Sequence, residues 1–301
     1  MTGTTSTAAP QQAGRRIVLG RLLRRPGGIA GAGMIVAVVA LAAAGGRATP
    51  WGPTAQDFDN LGVPPGTAGH LLGTDGGGFD TYAQVVAGTG RSLLIAAVVG
   101  VCAPLLGGLY GATIALWGGR RERAGLWVLD MLLLLPGFLI VAILAGAGSH
   151  APGWAGSAGA LAIVLTLLSW MPLARVTRAL TRSLREREFI VAARYLGLSN
   201  AQIVRQHLLG QLASYLVLAA VLGAGAAIVT ETLLSYLGLG VRPPEVSLGQ
   251  LIGSAANQLA AYPWLFWAPT ACLVWITLGL ALLGDALRDA LDPRSGAGWR
   301  S

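Results

Sequence analysis

Six long apolar stretches alternate with polar segments along the chain, at residues 28–46, 92–117, 125–148, 158–174, 212–237 and 265–284. A hydrocarbon core about 30 Å thick takes roughly 20 apolar residues of helix to cross, so each stretch predicts a transmembrane helix. The fourth is short and ends near Pro172, and the third carries Asp130 and Pro136, which lower its hydropathy without removing it from the set. The polar segments complete the plan: a leader over 1–27, an outer loop over 47–91, a five-helix core over 92–284 interrupted by an inner loop over 175–211, and a tail over 285–301. The expected fold is an all-α integral membrane protein of about six transmembrane helices. Seven of the nine tryptophans, Trp51, Trp117, Trp127, Trp154, Trp170, Trp264 and Trp267, fall near proposed span ends, where an amphipathic ring is comfortable.

Composition agrees with this plan and charge orients it. The chain is 54% hydrophobic and 11% charged with a mean hydropathy of +0.63, whereas a soluble domain is about a quarter charged. All 21 basic residues are arginine. With the N-terminus inside, segments 1–27, 118–124, 175–211 and 285–301 hold five, three, seven and three of them, against Arg47, Arg91 and Arg242 outside. That asymmetry follows the positive-inside rule and predicts a multi-pass inner-membrane protein with both termini cytoplasmic. It also explains the net charge of +8 as a topology signal in a lipid bilayer, with no nucleic-acid partner. The run 28–46 is longer than a signal-peptide core of roughly 7–15 residues, so the first span is expected to be a retained anchor, preceded by a disordered leader over 1–14.

Several kinds of chemistry are excluded. A P-loop needs a lysine at the β- and γ-phosphates, and this chain has none. Cys102 and Cys272 sit singly in apolar runs, and His70, His150 and His207 lie in separate segments, so neither a metal cluster nor a hydrolase motif is expected. The outer loop carries Asp57, Asp59, Asp75 and Asp80 but lacks the alternating ligands and twelfth-position Glu of a calcium loop. It reads as a turn-rich docking loop. Asp130 and Glu231 lie within or at the edge of spans, where acids are costly and face the bundle interior. They serve either the translocation path, binding a peptide amine, or interhelical polar contacts.

The inner segment is more telling. Arg175, Arg178, Arg182 and Arg185 are spaced three, four and three and predict a solvated or headgroup-facing stripe on a helix leaving the membrane. Residues 188–196 read as a short helix that Gly197 ends in the left-handed conformation. Ser199 and Gln202 have capping-box spacing and open a second helix toward His207.

These residues carry a resemblance. Ala192, Ala193, Gly197 and Ile203 are similar to the EAA loop of binding-protein-dependent ABC importers. Gly73-Thr74-Asp75 resembles the L-G-T-D element of the dipeptide/oligopeptide branch. The run 231–240, continuing into Pro243-Pro244, resembles its E-x-x-L-S-F-L-G-L-G segment, and 284–294 its carboxyl-terminal signature. The chain is thereby identified as a C-type permease of the type I ABC importer class. The resemblance implies a translocation subunit for di- or oligopeptides whose loop (Glu188, Val191, Ala192, Ala193, Gly197, Ser199, Ile203) is a coupling helix for a separate ATPase. It implies a homologous second permease, two ATP-binding subunits that hold the ATP and Mg, and an extracytoplasmic peptide-binding protein, with no cofactor on this chain. Nickel complexes and glutathione are alternative solutes of the branch. A secondary transporter is the rival class, but it would want paired broken helices in an internal repeat. Three positions depart from the pattern: Val191 stands where the family has Glu, with Glu188 one turn earlier; Gly210 stands where Pro is frequent; and Gly78-Phe79-Asp80 replaces Gly-Arg-Asp.

Overall fold

A computed structural model describes residues 25–146 and 156–291; residues 1–24 of the leader, His150, Trp154, Asp292 and Arg294 lie outside them. Helix α1 spans Pro26–Ala44 and runs through a short 3-10 turn, Gly45–Ala48, into the outer loop. Helices α2 (Thr81–Trp117), α3 (Gly119–Leu134), α4 (Gly137–Gly146) and α5 (Ala158–Leu184) follow. Next come α6 (Glu188–Tyr195), α7 (Asn200–Tyr236), α8 (Leu248–Ala255) and α9 (Pro263–Leu291). No strand occurs among the described residues. Five of these helices are long and apolar enough to cross a membrane, and α3 with α4, bent by 63° at their junction, passes the same test only as a pair and is a candidate for the sixth. Pro136 causes the bend: its ring disfavours a helical residue before it, and Leu135 is extended, with φ −70° and ψ 122°.

Helix α2 is the centre of the bundle, lying against α5 and α7. Lipid tails are as apolar as the helix faces, so close backbone packing holds such a bundle together. Glycines make that approach possible. A Cβ at Gly111 would stand 2.3 Å from the Ala174 carbonyl oxygen, and one at Gly107 2.7 Å from that of Trp170.

The helices outrun the apolar stretches. Helix α2 begins at Thr81, so the outer loop ends eleven residues before the expected 91. Asp80 sets this start by accepting a 2.6 Å hydrogen bond from the Ala83 N–H. The first turns of α2 are polar (Thr81, Thr89, Ser92) but buried by neighbouring segments, so hydropathy alone hides them. Helix α5 passes through Pro172 to Leu184, which a membrane helix tolerates where its neighbours pack. Trp170 accordingly lies inside α5, edge-on to Tyr110 at 5.1 Å, and not at a span end. The second inner helix does not stop near His207. It continues through a π turn, Val204–Leu208, into the fifth span as α7.

Two features place the ends. Gly31 of α1 fits against α9, where a Cβ would stand 2.8 Å from the Gly279 carbonyl, and Trp275 Nε1 donates to the Met34 carbonyl at 3.2 Å. Arg25 and Asp289 form an ion pair beyond that contact. The start of α1 and the end of α9 therefore lie together at the arginine-rich end of the bundle. Helix α8, at the opposite end, corresponds to no apolar stretch.

Candidate functional site

At the arginine-rich end, α6 hangs between α5 and α7 on a fully formed helix stop. Gly197 adopts φ +79°, its N–H donates to the Arg194 carbonyl at 3.0 Å, and the Leu198 N–H donates to that of Ala193 at 3.1 Å. This is the paired bonding of a Schellman motif. The next turn opens on a reciprocal capping box. The Ser199 N–H donates to Gln202 Oε1 at 2.8 Å, and the Gln202 N–H donates to Ser199 Oγ at 3.4 Å.

One face of this segment is anchored. Ile190 and Ile203 are fully buried and Ala193 nearly so, packed with Leu208 and Leu212 of α7 and with Ala112 and Leu116 of α2. Arg185 donates to the Ala115 carbonyl at 3.3 Å and Arg194 to that of Leu116 at 3.5 Å, occupying carbonyls that the end of α2 leaves without helical partners. The other face is bare. Glu188, Val191, Ala192 and Tyr195, spaced three, four and seven residues from the first, are all exposed; Tyr195 is 89% and Leu196 79% accessible. Thus Ala193 faces inward and Ala192 outward, while Val191 and Glu188 share the outward stripe. A contiguous exposed apolar patch of this kind marks an interaction surface.

The arginine stripe of α5 is not simply solvated. Arg178 Nε donates to Glu122 Oε1 of α3 at 2.7 Å, and Arg175 pairs with Asp130 of α3 on a half-exposed face. With Arg185 on α2, three of the four arginines join helices within the chain, because the bent third span brings its acids alongside α5. Glu231 of α7 is fully buried. It accepts from Ser235 at 2.8 Å, Ser247 at 2.5 Å and Ser92 at 3.5 Å, so one carboxylate joins α7, α8 and α2. Asp130 and Glu231 therefore sit in separate polar contacts.

The outer loop folds around a residue that sequence reasoning passed over. His70 is fully buried, with Nδ1 2.7 Å from Asp80 and Nε2 3.3 Å from Asp57, and its ring stacks on Trp51 at 4.8 Å. Each member of the Gly73-Thr74-Asp75 element has a folding role. Gly73 takes φ +73° with the Val63 carbonyl where a Cβ would be. Thr74 Oγ1 donates to the Asn60 carbonyl at 2.6 Å, and Asp75 Oδ1 accepts from the Gly77 and Phe79 N–H groups at 2.9 Å each. Trp264 Nε1 donates to the Thr74 carbonyl at 3.2 Å and ties the loop to α9. The carboxylates of Asp57, Asp75 and Asp80 are thus shared among His70, Asn60, a helix cap and backbone amides. A lone His among four Asp within one loop was the signal available.

Residues 105–296 match the family described as binding-protein-dependent transport system inner membrane component. The oligopeptide transport system permease proteins OppC of Mycobacterium tuberculosis (strain ATCC 25618 / H37Rv) and of Mycobacterium bovis are each 40% identical over 283 residues, covering 93% of this chain and 95% of theirs. A Brucella suis biovar 1 protein with the provisional name peptide permease is 36% identical over 231 residues, covering 75% of this chain and 74% of its own.

Proposed function

This chain belongs to the family of binding-protein-dependent transport system inner membrane components, and on that premise we propose that it is the permease subunit of an ATP-driven oligopeptide importer. It forms half of the path with a homologous second permease and couples through α6 to one of two separate ATPases. A peptide-binding protein delivers substrate at the outer-loop end, and both termini lie in the cytoplasm. ATP and Mg belong to the ATPase subunits, so this chain is a non-catalytic transport subunit without a cofactor.

The observation that carries this reading is the two-sided build of α6. Its outward stripe of Val191, Ala192, Tyr195 and Leu196 is free to enter a groove on another protein, while Ile190 and Ala193 bind it to α2 and α7. A push on the outer stripe therefore reaches these two membrane helices through packed contacts, and interiors at that density transmit strain. Closure of the ATPase pair would drive the permease pair from inward- to outward-facing in this way.

Gly197 supplies the test. A Cβ there meets nothing of this chain within 4 Å, although the φ of +79° disfavours most side chains. Gly197→Asn tolerates that backbone and serves as the control for Gly197→Glu. The expected outcome is that both insert into the membrane, that the Asn variant keeps most peptide uptake, and that the Glu variant loses it. Uptake by the Glu variant equal to that of the unmodified transporter would remove the coupling role.

A further inference from the structure

A cavity of about 590 Å³ opens at the outer-loop end, between the loop, the start of α2, α8 and the start of α9. It lies within this one chain. Its floor is apolar, built from Val85, Leu251, Leu265 and Pro269, and its polar groups include Asp75, Thr81, Gln84, Gln250 and Ser254. No arginine or histidine lines it. Two of the polar groups are unfinished: Thr81 Oγ1 and Gln250 Oε1 are buried without a hydrogen-bond partner among the described residues. Buried polar atoms are rarely left so, and each such atom calls for a partner. Asp75 spends Oδ1 on two backbone amides, and its second carboxylate oxygen accepts from no described residue. Thr81 is only 3% exposed, so these groups belong to a formed wall.

An apolar floor with a few convergent polar groups is the ordinary make-up of a small-ligand site. The polar groups here narrow the class. A single carboxylate with no countercharge favours a cation, and amide and hydroxyl groups favour a ligand with its own amide. The floor favours an apolar side chain between them. We propose that this cavity is a peptide subsite that receives the amino-terminal residue of an incoming peptide. The ammonium lies against Asp75, the side chain on the floor, and the first peptide N–H toward Gln250. With no cation to fix a carboxyl terminus, the rest of the peptide stays outside and its length is unrestricted. This assignment rests on the permease reading above and adds a site on this chain to it.

The test uses the whole transporter in nanodiscs, without its binding protein, and a tripeptide of p-benzoylphenylalanine followed by two alanines as photoprobe. Irradiation should label residues within 79–85 or 250–258, and N-acetylating the probe should lower labelling about tenfold through loss of the charge-assisted contact. Asp75→Asn keeps an oxygen for the Gly77 and Phe79 N–H groups but should erase the preference for the free amine. Ser254→Trp, at the exposed rim, should block labelling, and in intact cells it should raise the apparent KM for peptide uptake about tenfold, with the partner ATPase still co-purifying. Normal peptide import with labelling absent, elsewhere, or equal for the acetylated probe overturns the subsite alone. So does a photo-crosslinker at position 254 that captures the binding protein and not the peptide. A complex that imports no peptide into proteoliposomes, with ATP and its binding protein supplied, overturns the permease reading, and the subsite with it.

Discussion

Asp57 connects three parts of the outer loop through one carboxylate. It accepts from the Asn60 side chain at 2.9 Å and the Asp59 N–H at 3.1 Å, and it faces His70 Nε2. The Asn60 amide above all holds its carboxyl below the ordinary value of 3.8, with His70 and the Asp59 amide adding to this against the effect of burial. A carboxyl lowered on folding contributes stability that is fully present above the unfolded value and is lost as the pH falls through the folded one. Hydrogen exchange of residues 56–80 should therefore stay slow from pH 7 down to about 4 and quicken below that. Asp57→Asn should flatten this dependence. Opening of the loop already at pH 6 would remove the assignment.

At the scale of elements, the carboxylate of Glu231 determines where α8 sits. Ser247 both caps α8, accepting from the Gln250 N–H at 3.1 Å, and donates to Glu231. Gly249 follows so closely that a Cβ would stand 2.6 Å from the Thr232 Cα. Glu231→Leu leaves the Ser247 and Ser235 hydroxyls without their acceptor, at about 1–3 kcal/mol per buried group, whereas Glu231→Gln keeps an acceptor and should cost less. Thermal unfolding of the purified transporter orders the two variants, and a cysteine at Ser254 should become more reactive only in the Leu variant. Glu231 was legible in the sequence because an acid at a span edge is costly, and the capping box and Gly197 were legible because their spacing is local. Helix α8 was not: Leu248, Leu251, Ile252 and Ala255 do recur at helical spacing, but eight residues fall far below the length of a span. The start of α2 was hidden by residues whose polarity is met by the loop, and the partners of Arg175 and Arg178 lie 45 and 56 residues away. Local chemistry shows in the order of residues, and contact between distant segments does not.

At the scale of the molecule, α1 is held by packing more than by charge. The Arg25–Asp289 pair is 39% and 56% exposed, and such pairs contribute about 0–1 kcal/mol. At Gly279, by contrast, a Cβ would already stand 3.1 Å from both Ile35 Cδ1 and Met34 Cβ, so a larger side chain must push the two helices apart. Gly279→Leu should therefore lower accumulation in the membrane severalfold, while Arg25→Ala should change it little; immunoblots of membrane fractions compare them. Equal levels for both would mean that the contact is dispensable.

The same pairing sets a timetable for biogenesis. Helix α1 leaves the ribosome before its main companion α9, so in the interval the first helix sits in lipid with its small-residue face unclosed. A nascent chain that stops before Pro263 has no α9 against which to close that face. Products truncated before Pro263 should therefore be degraded faster than chains that include α9, as pulse-chase labelling of membrane fractions would read.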